Sequence, residues 1–93
     1  MGCILGFVYD PSKSAANLEK HGIDFEEVQD LWLGDTVAFR AITRGEPRFK
    51  VIGRLMGEYW AAIYTVRGDD IRIISARRAT ASERSEYDRQ IND

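Results

Sequence analysis

The chain has 93 residues, with 13 Lys and Arg against 15 Asp and Glu, a formal net charge of −2, and 44% hydrophobic and 30% charged residues. That length fits one domain over residues 1–93 and argues against a multidomain protein, and the composition is that of a folded chain rather than a disordered one. Its apolar runs fall far short of the roughly 20 residues needed to cross a bilayer, and Met1-Gly2-Cys3-Ile4-Leu5 lacks the charged start of a secretory signal. A soluble cytoplasmic protein with no membrane contact is expected. The single cysteine, Cys3, excludes an internal disulfide and reads as an incidental thiol, and one His argues against the usual zinc sites. No metal and no cofactor is expected.

Charge is distributed unevenly. Residues 1–35 hold two Lys and seven acids, residues 36–79 nine Lys and Arg against four acids, and residues 80–93 two Arg against four acids, sums of −5, +5 and −2. A basic central block is either an ordinary solvated face or a surface for an anionic partner.

In chain order, Phe7-Val8-Tyr9 reads as a short strand. Asp10-Pro11 supplies a side-chain cap and a proline for the first helical position, so a helix should run from Pro11 to about His21, closed by Gly22. Asp24 and Glu27 have capping-box spacing and Ile23 can staple onto Val28, which predicts a second helix from Phe25 with Phe25, Val28, Leu31 and Trp32 on one face and Gly34 as its stop. Alternation and β-branched or aromatic residues then mark Val37–Thr43, Arg48–Leu55, Tyr59–Val66 and Ile71–Arg77 as strands. Their short glycine-containing separators imply antiparallel hairpins. Thr80 and Glu83 form another capping box, opening a C-terminal helix through about Ile91. The predicted class is α+β: an antiparallel sheet of about four strands, two N-terminal helices and one C-terminal helix.

A register follows if Met56-Gly57 and Gly68-Asp69 are two-residue loops and Gly45-Glu46-Pro47 is a three-residue one. One face then collects Phe39, Ala41, Phe49, Val51, Trp60, Ala62, Tyr64, Ile71 and Ile73 as a helix-covered core. The other collects Arg40, Arg44, Lys50, Arg54, Tyr59, Arg72 and Arg78 among Ile52, Ile63 and Ile74, the composition of a sheet over which a phosphate backbone runs.

The residues Asp10-x-x-Lys13-x-x-x-Asn17-x-x-Lys20-His21-Gly22-x-x-Phe25-Glu26-Glu27, then Ile52-Gly53-Arg54, Tyr64, and Arg72-Ile73-Ile74-Ser75-Ala76-Arg77-Arg78-Ala79 with Glu83 and Tyr87, resemble the BrnT family of bacterial toxins from about Phe7 to Tyr87. The resemblance implies a RelE-like ribonuclease fold, toxicity through RNA cleavage, and neutralisation by a BrnA-type antitoxin that carries a DNA-binding domain and contacts operator DNA. RelE-like toxins are usually basic, whereas this chain has a pI of about 5.4.

Metal-free RNA cleavage needs a base for the 2′-hydroxyl proton, cations for the phosphorane and an acid for the leaving 5′ oxygen. His21 has an unperturbed pKa near neutrality and suits proton transfer, with Lys20 next in line, although a His in a last helical turn also suits the helix dipole. Lys13, Asn17 and Lys20 fall on one helical stripe able to hold RNA phosphate. Arg54 and Arg77 are candidates for transition-state charge, since a guanidinium forks onto phosphate oxygens. The register puts Arg77 opposite Trp60 at the end of the core face, where it either pairs with Glu83 or reaches into the site; the resemblance favours the second. Lys50, Arg72 and Arg78 are expected to position RNA phosphates. Glu83 reads as a cap, Tyr87 as packing on the sheet, and Trp32, Trp60 and Tyr64 as core. The function expected is a metal-independent endoribonuclease toxin that inhibits translation; the alternative is a non-catalytic RNA- or protein-binding module acting with a DNA-binding partner. An antitoxin that silences the toxin is expected to lay an acidic or amphipathic segment over Lys50, Arg54 and Arg72.

Overall fold

Local signals set most of the element boundaries. In a computed structural model of the chain, which describes residues 6–41 and 44–91, the order is β1 (Gly6–Val8), α1 (Pro11–His21), a 3₁₀ helix (Glu27–Leu33), β2 (Thr36–Ala41), β3 (Arg48–Leu55), β4 (Glu58–Arg67), β5 (Asp70–Arg78) and α2 (Ala81–Ile91). Cys3 and the predicted end of the second strand at Ile42 and Thr43 lie outside the described residues. Asp10 accepts from the Ser12 N–H at 2.8 Å, Pro11 is the first residue of α1, and Gly22 closes it at φ 80° with its N–H on the Leu18 carbonyl at 2.9 Å. The Asp24–Glu27 capping box also forms, with the Glu27 N–H donating to Asp24 Oδ1 at 2.7 Å and the Asp24 N–H to Glu27 Oε1 at 3.1 Å.

The segment after that box is a 3₁₀ helix rather than the α-helix expected from Phe25. Phe25, Val28 and Leu31 are all at most 1% exposed and recur every third residue. Three residues per turn aligns such a row on one line, whereas an α-helix would rotate it off the sheet.

The sheet is five-stranded and mixed, in the order β1-β5-β4-β3-β2, so the expectation of about four antiparallel strands needs correcting. β1 pairs parallel with Asp70–Arg72 of β5; α1 and the 3₁₀ helix carry the chain from the β1 edge to the β2 edge, and the β2–β5 meander brings it back beside β1. One face packs Ile23, Phe25, Val28 and Leu31 against Val51, Trp60, Ala62, Ile71, Ile73 and Ala76. The other packs Tyr87 of α2 against Val37, Ile52 and Ala61, a smaller cluster toward the β2 side. Both two-residue turns form as read, with Leu55 facing Glu58 and Arg67 facing Asp70. Met56 and Gly57 have φ of 53° and 78°, the left-handed pair that a tight hairpin demands.

Two register departures reassign side chains. Ala41, not Arg44, faces Arg48, which a three-residue loop does not allow, and the phase of β2 inverts. Phe39 pairs with Lys50 and lies on the α2 face, while Arg40 pairs with Phe49 on the opposite one. Arg44 falls in the connection rather than on a strand. The second departure is a bulge in β5: Tyr64 faces Ile73 but Ile63 faces Ser75, leaving Ile74 unpaired. Beyond the extra residue the alternation flips. Arg77 therefore sits opposite Ala61 on the α2 face, and Arg78 takes the place opposite Trp60.

α1 is attached next to that bulge by polar groups, since its buried residues are Ser14 and Asn17. The Ser14 hydroxyl accepts from the Phe25 N–H at 2.9 Å. Asn17 donates to the Ala76 and Ile23 carbonyls at 2.9 and 2.8 Å and accepts from the Ala76 N–H at 3.2 Å, so its amide pairs with β5 where β1 has ended. A side chain here continues the edge pairing where β1 stops. Asn17→Ala would leave the buried Ala76 and Ile23 backbone groups without partners, at roughly 1–3 kcal/mol per group. Urea denaturation should show a loss of about 3 kcal/mol or more, far more than for Lys13→Ala one turn away on the exposed side.

Candidate nucleic-acid interface

The cations expected to form one site fall into three groups. The first surrounds Glu83 on the α2 face. Arg77 donates to Glu83 through both terminal nitrogens at 2.7 and 2.9 Å, Lys50 Nζ lies 2.7 Å from it, and the Thr80 N–H donates to it at 2.8 Å. The Glu83 N–H in turn donates to Thr80 Oγ1 at 3.2 Å, completing the capping box. The Glu83 side chain is only 8% exposed, and Arg77 above all, helped by Lys50 and Thr80, holds its carboxyl well below the usual carboxylate range against the cost of burial. Of the two roles weighed for Arg77, the pairing with Glu83 is the one that this geometry forms. Arg72, opposite Thr65 on the same face, is half-buried and makes no ion pair among the described residues.

The second group lies at the end of the sheet formed by the β3–β4 hairpin. A groove of about 440 Å³ is lined by Arg54, Gly57, Glu58, Tyr59, Arg78, Ala79 and Arg84. The guanidiniums of Arg54 and Arg84 lie 4.8 and 5.0 Å from the centre of the Tyr59 ring. Arg78 sits 5.4 Å from the centre of Trp60 and pairs with Glu58. Three arginines thus line this end of the sheet against one carboxylate, Arg54 and Arg84 over Tyr59 on the α2 face and Arg78 beside Trp60 on the other, and a guanidinium forks onto phosphate oxygens. The bulge turns Arg78 to the Trp60 side of this end and Arg77 to the α2 face.

The third group lines a groove of about 290 Å³ between α1 and β5, with Lys13, Lys20 and His21 beside Ile74 and Ser75. None of the three makes an ion pair with the described residues. Asn17, expected in this stripe, is 7% exposed and spends its amide on Ala76 and Ile23, so the stripe presents two lysines and His21. Neither groove contains all of Lys20, His21, Arg54 and Arg77. Among the described residues no three of His, Cys, Asp and Glu gather as metal ligands would.

Sequence reasoning missed Arg84 and Asp88. Glu83 and Tyr87 both turn toward the sheet, so Arg84 and Asp88, each one residue further and four apart, share the adjoining flank of α2. That flank meets Tyr59, whose hydroxyl donates to Asp88 Oδ1 at 2.8 Å. Tyr64 stacks on Phe49 at 5.5 Å and meets Trp32 edge-on at 5.4 Å, while Trp60 is 5% exposed, as their core reading requires. Tyr87 is buried, and its hydroxyl donates to the Asp35 carbonyl at 3.1 Å.

The chain is an α+β domain with Arg54, Arg78 and Arg84 at the hairpin end of its sheet. Residues 9–83 match the family described as the ribonuclease toxin BrnT of type II toxin–antitoxin systems, and the chain belongs to that family. Membership implies an antitoxin partner. No curated protein matches the chain. Among the described residues no helix is long and apolar enough to cross a membrane.

The Glu83 cluster generates a stability prediction. Arg77→Ala and Glu83→Ala should each cost about 1–3 kcal/mol, less than the roughly 3–5 of a fully buried pair because Arg77 keeps 36% of its side chain exposed. Their double mutant should cost clearly less than the sum. Since the folded-state pKa of Glu83 is depressed, its contribution is complete above the unfolded carboxylate value and declines as pH falls below it. Glu83→Gln should therefore flatten the acid-side loss of stability in urea melts taken between about pH 5 and pH 2.

Proposed function

We propose that this chain is a metal-independent endoribonuclease that inhibits translation in the cytoplasm, with the reacting phosphate held in the hairpin groove. The observation that carries this reading is the pair Arg54 and Arg84 over Tyr59 in one open groove, with Arg78 at its rim beside Trp60. In RNA cleavage the 2′ oxygen attacks phosphorus, and negative charge grows on the phosphoryl oxygens as the 5′ oxygen departs. Guanidiniums stay cationic at any working pH and fork onto two oxygens, so Arg54 and Arg84, with Arg78 at the rim, lower the barrier without a metal. Glu58 holds Arg78 in the free protein; the phosphate then takes over an arginine already oriented.

Lys13, Lys20 and His21 have a different place in this reading. Their groove contains no guanidinium among its lining residues, so we assign them to the flanking RNA backbone, along with Arg72. Arg77 and Lys50 support the surface from behind by holding α2 through Glu83. The partner we propose is a BrnA-like antitoxin with a DNA-binding domain, through which the toxin is tethered to operator DNA.

Arg54→Ala and Arg84→Ala should each slow cleavage of purified RNA in excess EDTA by about 10²-fold, in line with the loss of one oxyanion donor, and relieve growth arrest on induction without antitoxin. His21→Gln should weaken RNA binding while leaving the rate at saturating RNA within about threefold, short of the roughly 10²-fold loss expected of a proton carrier. Loss of cleavage in His21→Gln with Arg54→Ala unaffected would move the reaction to the α1 groove. Tight binding without cleavage by the wild-type chain would instead establish the non-catalytic module, a reading that draws on Arg77 being bound to Glu83.

A further inference from the structure

The cations of the hairpin groove stabilise charge but cannot accept the 2′-hydroxyl proton, because arginine is not deprotonated in proteins. Besides Glu58, which is paired with Arg78, the groove is lined by one proton-handling group, Tyr59. Tyr59 has Arg54 of β3 and Arg84 of α2 within 4.8 and 5.0 Å of its ring centre, and Tyr87 meets the ring edge-on at 5.7 Å. A ring so surrounded has little surface left for stacking a base. Its hydroxyl is placed differently: the proton points at Asp88 Oδ1, 2.8 Å away, which leaves the oxygen lone pairs to accept.

We propose that Tyr59 takes the proton of the attacking 2′-hydroxyl while passing its own proton to Asp88, an inference that rests on the hairpin groove being the site of cleavage. In this step the O2′–H bond breaks and the O2′–P bond forms. The proton from O2′ joins the Tyr59 oxygen as the original phenolic proton moves to the Asp88 carboxylate. The P–O5′ bond then breaks, and the 5′ oxygen leaves with the electron pair and takes a proton from water. Asp88 returns its proton to water, so the reaction ends at a 2′,3′-cyclic phosphate and a 5′-hydroxyl with nothing consumed. Tyr59 would be a catalytic residue and Asp88 a positioning and proton-accepting residue behind it.

The electrostatics fit a relay rather than a free phenolate. The Asp88 hydrogen bond raises the Tyr59 pKa, ahead of the lowering by Arg54 and Arg84. The phenol keeps its proton at neutral pH, and that proton is already shared with its acceptor. Glu58 and Arg78 line the same groove, but Glu58 is paired with Arg78.

The competing account is a tether, in which the Tyr59–Asp88 bond merely fixes α2 to the sheet. Single-turnover cleavage of a short RNA separates the two, with binding measured on the same RNA carrying a 2′-deoxy nucleotide at the cleaved position. Tyr59→Phe and Asp88→Asn should each lower the rate at saturating RNA by about 10²-fold with binding within about twofold. Replacing the leaving 5′ oxygen by sulfur, which needs no protonation to depart, should not restore Tyr59→Phe. Unchanged rates in Tyr59→Phe would overturn the relay, and rescue by the sulfur substrate would make Tyr59 an acid on the leaving group and overturn it equally. If Tyr59→Phe does not fold, 3,5-difluorotyrosine at position 59 keeps the ring and hydroxyl while acidifying the phenol. Its rate profile should shift along the pH axis, and an unmoved profile would overturn the proposal. Loss of cleavage in Arg54→Ala with full activity in Tyr59→Phe removes the relay alone. Full activity in both variants, or an inert wild-type chain, removes the hairpin-groove reading along with it.

Discussion

The amide of Asn17 on the backbone of Ala76 fixes the geometry from which the candidate site follows. β1 covers only Asp70–Arg72 of β5, and the rest of that edge would present unpaired backbone groups to α1. Asn17 satisfies one such residue on both its N–H and its C=O. It does so two residues beyond Ile74, the extra residue that shifts the β4–β5 register. A buried backbone group left unpaired costs free energy, so Asn17 holds the edge of β5 just beyond the bulge. The helix is thereby docked by hydrogen bonds, with Leu18 left 46% exposed on its outer side.

That single inserted residue sorts the arginines. Without it Arg77 would stand opposite Trp60 on the core face; with it Arg77 points at α2 and meets Glu83. Arg78 inherits the position beside Trp60 and lines the hairpin groove. Interactions of unequal strength then divide the cations into those spent and those available. The Arg77–Glu83 contact is bidentate, shielded on the Glu83 side and reinforced by Lys50 and Thr80, so removing Arg77 from it is expensive. Arg78–Glu58 is an exposed pair, 59% and 48% exposed, of the kind worth at most about 1 kcal/mol and easily exchanged for a phosphate.

Much of this fold was legible because its signals are local. Both capping boxes, the Pro11 start, the Gly22 stop and the two-residue turns each depend on a few neighbouring residues, and all formed where the spacing put them. The faces were harder, since period-two alternation propagates any error to every later residue of a strand. The Ala41–Arg48 register and the Ile74 bulge each follow from residues that no local pattern announces, and between them they misplaced Phe39, Ala41, Arg40, Arg77 and Arg78. The 3₁₀ helix was more readable than the α-helix assigned to it, because the three-residue recurrence of Phe25, Val28 and Leu31 was already in view. Asn17 passed for a surface residue because its stripe partners are lysines, and its true role depends on a strand 59 residues away. Arg84 and Asp88 escaped attention for a related reason: their meaning comes from Tyr59, across the sheet–helix interface.

The central claim is that the available guanidiniums at the hairpin end, and not those held by Glu83, receive the RNA phosphate. Arginine side-chain NMR reports this directly, because each Nε–H resonance shifts when its guanidinium binds an oxyanion. Titrating the intact chain with a short RNA made uncleavable by 2′-deoxy substitution should move the resonances of Arg54, Arg78 and Arg84 saturably. Arg77 should stay where it is throughout. Saturable shifts of Arg77 with Arg54 and Arg84 unmoved would contradict the account and place the phosphate on the Glu83 side of the sheet.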